Sequence, residues 1–298
     1  MNGAKILSIA AERPAKTMSN DELPGKFDID DAWIQSRTGI ATRGVANDEE
    51  TLIEMSAGAA SKAIAAAGID PATIDLTIVA TSSNPITTPG IAPPLTNRLS
   101  LTSGAFDIMA ACAGFCYSLN VAADSIRAGS ARNVLVVGAE RITDRMDWND
   151  RNTCYLFGDG AGAAIVAATD VEDDGIGPVV WGSDGALADY IAQPIDSPYL
   201  QMDGQAVFKW AITEVAGIAR EACEKAGIEP KDLAAFVPHQ ANLRIVEPVA
   251  RSLGVGESTV VADDGRYSGN TSAASIPLAI ARMKDEGRIQ SGDATLLI

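Results

Sequence analysis

A short stretch of this chain occurs twice, and the recurrence limits what the chain can fold into. Ala67-Gly68-Ile69-Asp70-Pro71 returns as Ala226-Gly227-Ile228-Glu229-Pro230, 159 residues further on. At the same spacing Ala57-Gly58 falls on Ala216-Gly217, and the apolar run Ile74–Val79 falls on Leu233–Pro238. In the first copy Leu52, Met55, Ala59 and Ile64 lie on one face of a helix over 51–67. Gly68 stops it, Pro71 follows, and a buried strand comes next. A helix, stop and strand used twice predicts a duplicated α/β chain. Carried forward, the spacing sets Cys112 against Thr271 and Ala111 against Asn270, each at the start of a helix (112–129 and 270–287). If the halves pack about a pseudo-twofold axis, those helix starts face each other. The strand Val134–Gly138 then answers Ala294–Ile298, the spacing having drifted to 160. The expected division is 1–168 and 169–298. The first copy runs on into a Gly-rich strand, Gly158–Ala168, and the second stops at Ile298, so the second half is expected to lack its final Gly-rich strand.

The reactive candidates stand at the ends of predicted strands. Phe106 to Ala110 reads as an apolar strand that stops at the small residues Ala111, Cys112, Ala113 and Gly114. Helical periodicity follows through Phe115, Leu119, Ala122 and Ile126. That puts Cys112 at a helix N-terminus, where free N–H groups and the helix dipole favour thiolate, the nucleophilic form. The competing reading is a buried structural cysteine. His239, the one histidine, follows the strand Ala234–Val237, at the strand end where open α/β sheets hold ligands, although a lone histidine is often incidental. Asn270 follows Gly269 at a helix start. Cys, His and Asn in this order could form a papain-type hydrolase triad. The papain signature around the cysteine is absent, and a duplicated α/β pattern does not suit that fold. Gly158-Asp159-Gly160-Ala161-Gly162 lacks the Lys-Ser/Thr of a phosphate loop and reads as a tight turn into a close-packed strand.

Charge narrows the partners. A net charge of −16 argues against general binding to nucleic acid or anionic membranes, so an anionic partner needs a local basic patch. No apolar run is long enough to span a bilayer, and no signal-peptide pattern opens the chain. Four cysteines in 298 residues make no disulfide framework. The reading is a reduced, cytoplasmic enzyme.

Three stretches together resemble a known family. Ala111-Cys112-Ala113-Gly114-Phe115, Val237-Pro238-His239-Gln240-Ala241-Asn242 and Gly269-Asn270-Thr271-Ser272-Ala273-Ala274-Ser275 are similar to the three motifs of β-ketoacyl-acyl carrier protein synthase III. The likeness runs in the family's order from Trp33 onward. It implies a thiolase-like α/β fold, two pseudo-symmetric halves layered α-β-α-β-α, and a homodimer. It also implies the chemistry: Cys112 takes an acyl group from acyl-CoA as a thioester. Malonyl-acyl carrier protein then loses carbon dioxide and its carbanion attacks that thioester, with His239 and Asn270 donating hydrogen bonds to the developing enolate. Coenzyme A enters as substrate, with no prosthetic group or metal.

By the same resemblance, adenine stacks between Trp33 and Arg151, Arg37 reaches phosphate, and Gly204, Phe208 and Asn242 line the pantetheine channel. Trp33 could equally be core, Arg37 and Arg151 solvated cations, and Gly204 a turn. Lys209, Arg244 and Arg251 match basic positions that dock the acidic carrier protein. The family also places a C-terminal Gly-Phe-Gly-like stretch in the oxyanion hole, which this sequence does not contain. Thr88 stands where short-chain members carry a phenylalanine that closes the neighbour's acyl pocket, so a medium or long primer is expected. Two rivals remain: an acyltransferase of the same fold priming a polyketide or alkylquinolone-type pathway, and a cysteine thioesterase.

Overall fold

The computed structural model describes residues 2–24 and 27–298. Strand β1 (Gly3–Glu12) opens the chain, and a ribbon of β2 (Thr17–Ser19) and β3 (Thr42–Gly44) brackets helix α1 (Asp31–Thr38). Helix α2 (Leu52–Ala67) is capped by the Thr51 hydroxyl, which accepts the Glu54 N–H, and closed by Gly68 in the left-handed conformation. Strand β4 (Leu76–Ala80), helix α3 (Ala92–Arg98), β5 (Gly104–Ile108), helix α4 (Gly114–Arg127), β6 (Asn133–Arg141) and β7 (Asp159–Thr169) complete the first half. They build a five-stranded sheet ordered β1-β7-β6-β4-β5. Strand β4 runs parallel to β5 and β6, and β7 runs antiparallel to β1 and β6.

The second half begins with a hairpin, β8 (Ile191–Ala192) and β9 (Gln201–Met202), followed by helix α5 (Gly204–Ala226), β10 (Ala235–Val237) and helix α6 (Leu243–Leu253). Strand β11 (Val260–Val261), the short α7 (Gly265–Ser268), helix α8 (Ser275–Asp285) and β12 (Thr295–Leu297) follow. Its sheet is parallel and ordered β11-β10-β12. These strands repeat the β5-β4-β6 part of the first sheet in the same order, as the duplication requires.

The apolar residues sort these elements into five layers. One core joins α2 and α3 to one face of the first sheet. A second joins the other face to α4 and α8, and includes Ala235 and Val237 of β10. Phe236, pointing the opposite way, packs with α5 and α6 in a third core, the period-two alternation of a strand buried on both faces. The order is α, β, α, β, α, with α4 and α8 as the shared central layer.

The expected helix starts move. Both central helices are preceded by a single 3-10 turn, Ala111–Ala113 before α4 and Ser272–Ala274 before α8. Ala111 (φ 44°) and Ser272 (φ 45°) adopt the left-handed conformation that opens each turn. Ser272 is therefore the counterpart of Ala111, and Ala273 that of Cys112; the simple spacing, which paired Cys112 with Thr271, slips by two residues here. Glycines in β6, in β7 and just before β7 let the second half come close. A Cβ on Gly138 would overlap the Ala273 carbonyl, one on Gly158 the Ser268 carbonyl, and one on Gly162 the Pro277 ring. This is the close-packed role read for the Gly158–Gly162 run.

Candidate active site

Strand β5 and the turn after it carry Cys112 out of the sheet to the seam between the halves. Its thiol donates to Ser272 Oγ at 3.6 Å. Burial works against the thiolate expected from a helix N-terminus. Cys112 lies in the turn ahead of α4 rather than in its first turn, and burial pushes its thiol up to about 11. The Ser272 hydroxyl pulls in the other direction, while the Glu140 carboxylate adds to the rise.

His239 emerges from the end of β10, its backbone N–H bonded to the Ile298 carbonyl at 2.6 Å. Its Nδ1 lies 2.7 Å from Ser275 Oγ, the first residue of α8. The same hydroxyl accepts the Gln240 N–H at 3.4 Å. Burial pushes His239 down to about 4, so the ring is neutral near pH 7. Asn270 is pinned through its backbone, its N–H to Leu156 and its carbonyl to Gly158. Its Oδ1 accepts the Ser272 N–H at 2.9 Å, which leaves the amide NH₂ as the donating end. Cys112, His239 and Asn270 thus gather around one segment, Asn270 to Ser275, each tied to it by a separate bond. No bond joins the three side chains to one another among the described residues.

The residues matched to coenzyme A form a second cluster. The Arg37 and Arg151 guanidinium carbons lie 5.5 and 5.2 Å from the Trp33 ring centre. Both guanidinium groups therefore lie within cation–π range of the indole. Asn242 has a local task, capping α6 through the Arg244 N–H, and its amide donates to the Arg37 carbonyl at 3.3 Å. Gly204 is the exposed first residue of α5 with Asp203 as its cap, and Phe208 is half-buried one turn later. Lys209, Arg244 and Arg251 are exposed, and the Arg244 guanidinium donates to the Ser36 carbonyl of α1. Thr88 is exposed on the loop after β4. Asp107 of β5 holds the end of that loop, accepting the N–H groups of Ile91 and Ala92.

One site residue escaped sequence reasoning. Glu140, near the end of β6, is fully buried and accepts from Ser82 N–H, Ser82 Oγ, Ser83 Oγ and Thr81 Oγ1. Burial raises its pKa, and the bonds from Ser82, Ser83 and Ser272 hold the rise back. A lone acid closing an apolar strand was the available signal. Among the described residues no group of three His, Cys, Asp or Glu side chains could hold a metal ion.

The five-layer α/β duplication is the fold of thiolase-like condensing acyltransferases. Residues 106–185 match the family described as 3-Oxoacyl-[acyl-carrier-protein (ACP)] synthase III, and residues 223–298 match its C-terminal counterpart. The chain is 46% identical over 297 residues to β-ketoacyl-[acyl-carrier-protein] synthase III 4 of Streptomyces coelicolor, covering 99% of this chain and 94% of that one. It is 44% identical to the mycobacterial β-ketoacyl-[acyl-carrier-protein] synthase III of Mycobacterium avium, covering 98% and 90%. Among solved structures it superposes on the priming β-ketosynthase of the R1128 polyketide pathway with a TM-score of 0.95 at 43% identity, covering 99% and 91%. The 3-oxoacyl-(acyl carrier protein) synthase III of Pseudomonas aeruginosa gives 0.93 at 38%, covering 99% and 93%. The chain belongs to the β-ketoacyl-acyl carrier protein synthase III family.

Proposed function

We propose that this protein condenses a CoA-linked acyl primer with malonyl-acyl carrier protein, releasing carbon dioxide and starting or linking fatty-acid elongation. The observation that carries this reading is the gathering of Cys112, His239 and Asn270 around the Asn270–Ser275 segment. Cys112 forms the acyl thioester. Its high thiol pKa means that a proton must be removed as the bond forms. Once malonate loses carbon dioxide, the enolate oxygen needs donors and no base. Neutral His239 suits that task when Ser275 donates to Nδ1, which leaves the hydrogen on Nε2. The amide of Asn270 is the second donor.

Residues 1–168 then carry the nucleophile and residues 169–298 the two donors. The CoA nucleotide binds between Trp33 and Arg151, with Arg37 at a phosphate and Gly204, Phe208 and Asn242 along the pantetheine. The acidic carrier protein meets Lys209, Arg244 and Arg251 on a chain otherwise strongly negative. The enzyme acts in the cytoplasm as a homodimer through the exposed β5 edge, where Phe106 and Met109 are 41% and 81% exposed. Thr88, on the loop tied to that edge, leaves the acyl pocket deep enough for a medium or long primer.

Incubation with dodecanoyl-CoA followed by intact mass measurement tests the reading, with Cys112→Ala as control. A dodecanoyl adduct on the unaltered protein alone, discharged by malonyl-acyl carrier protein to a β-keto product, is expected. An adduct that only hydrolyses would make the protein a thioesterase. Priming of a polyketide pathway is the second reading, favoured by the similarity to the R1128 priming enzyme; the carrier protein that accepts the product separates the two.

A further inference from the structure

The backbone of Asn270 is held by a bridge one residue pair long, outside the named sheets. Phe157 and Asn270 pair in parallel. The Asn270 N–H donates to the Leu156 carbonyl at 2.8 Å, and the Gly158 N–H donates to the Asn270 carbonyl at 3.1 Å. Two such bonds alone do not hold a backbone pair against the entropy of the chain. What lies against the bridge is Arg43, the middle residue of β3. Its Cβ is 3.1 Å from where a Cβ would stand on Gly158, and 3.1 Å from where one would stand on Gly269. The two glycines belong to the two paired segments, so the Arg43 stem touches both. Strand β3 and the residue before it also grip the run that leads to Asn270. The Ala41 N–H donates to the Arg266 carbonyl and Thr42 Oγ1 to the Tyr267 carbonyl, each at 2.8 Å.

The rest of the Arg43 side chain is fully buried. Its Nη2 donates to the Tyr155 carbonyl at 3.0 Å, two residues ahead of Phe157, and to Asn20 Oδ1. Nε and Nη1 have no partner among the described residues. Asn20 stands between the guanidinium and the Asp31 carboxylate, to which the Asn20 amide donates at 2.7 Å. Burial draws Arg43 down to about 10, so it stays charged near pH 7. Burying a guanidinium with two nitrogens unmet is costly, and an apolar side chain of similar length would fill the space without that cost. The bond that the charge does make runs to the segment that holds Asn270.

We propose that Arg43 is a positioning residue for Asn270. Its guanidinium fixes the run from Tyr155 to Gly158, its stem supports the bridge between Gly158 and Gly269, and the bridge sets where the Asn270 amide stands. The inference rests on the reading of Asn270 as a donor to the malonyl enolate. Arg43 touches no reacting atom and acts through Asn270. A donor aimed at charge that develops only in the transition state loses much of its effect when displaced by a fraction of an ångström. Acylation uses Cys112, on the turn after β5, and does not need that donor. Loss of Arg43 therefore separates the two chemical steps.

Carbon dioxide release from malonyl-acyl carrier protein, measured beside single-turnover acylation at saturating dodecanoyl-CoA, tests this on the full chain. Arg43→Met keeps the stem and removes the guanidinium. It breaks no ion pair among the described residues, so its thermal midpoint should stay close to that of the unaltered protein. It should release carbon dioxide at least about tenfold more slowly, with acylation kept within about twofold. Arg43→Lys, which can reach one of the two oxygens, should recover part of the loss. Adding Arg43→Met to Asn270→Ala should slow release no further than Asn270→Ala alone. Unchanged release in Arg43→Met, or equal losses in both steps as a general structural role would give, overturns the proposal. If Arg43→Met does not fold, Arg43→Lys decides by the same comparison of the two steps. An Asn270→Ala protein that releases carbon dioxide at the unaltered rate refutes the donor reading of Asn270 itself, a result distinct from failure of the role given to Arg43.

Discussion

At the scale of single residues, the site holds its reactive groups in their uncharged forms. Cys112 rises to about 11 and His239 falls to about 4, both chiefly through burial. Difference absorbance at 240 nm between the unaltered protein and Cys112→Ala should therefore show no thiolate step below pH 9; a step near 7 would restore the helix-dipole explanation. His239 carries the opposite pH signature. Its folded pKa lies below the unfolded value of about 6.5, so the unfolded chain binds more protons in between. Its contribution is therefore neutral above about 6.5 and becomes a growing loss of stability as pH falls toward 4. The thermal midpoint of the unaltered protein should drop more steeply over that window than that of His239→Gln, and malonyl decarboxylation should persist below pH 6. Their places in the fold were legible in the sequence because each follows a predicted strand, Cys112 after β5 and His239 after β10. Their ionisation was not, because it depends on how much protein surrounds each group, and the seam that buries them joins residues some 160 positions apart. Glu140 was missed for the same reason: its hydroxyl partners Thr81, Ser82 and Ser83 lie 57 to 59 residues earlier in the chain.

At the scale of elements, the repeat located the strands and helices well. Glycine stops at Gly68 and Gly227 end α2 and α5 in the left-handed conformation, as their placement in the sequence implied. The error came at the turns before the two central helices, where helical periodicity reaches back to Cys112 and Asn270 but the backbone tightens into a 3-10 turn and α4 and α8 start at Gly114 and Ser275. Small side chains permit both conformations, so periodicity alone could not separate them. What holds the second turn is the glycine beneath it. Gly138→Ala would push its methyl into the Ala273 carbonyl, at a cost of about 2 kcal/mol. The variant should lower the thermal midpoint by a few degrees and slow acylation more than Gly68→Ala, whose strain falls on a solvent-facing cap far from the seam. Equal effects on acylation would show that the contact does not set the geometry of the site.

At the scale of the whole molecule, the first half supplies an exposed edge that bears Phe106 and Met109. Edge strands of this kind are a liability unless paired or covered. Met109→Asp should convert a dimer in sedimentation velocity to a monomer, and Thr88→Phe should shift the preferred primer from dodecanoyl-CoA toward acetyl-CoA in the dimeric enzyme. A monomer before any substitution would remove the basis for both expectations. The row of glycines on β6 and β7 has a further consequence. It works as a spacer gauge of zero thickness: the sheet of one half and the turn of the other are set apart by atomic radii alone, with no flexible side chain between them. Substitutions at the outer surfaces of either half can therefore accumulate while the gap between the sheet of the first half and the turn of the second stays the same width.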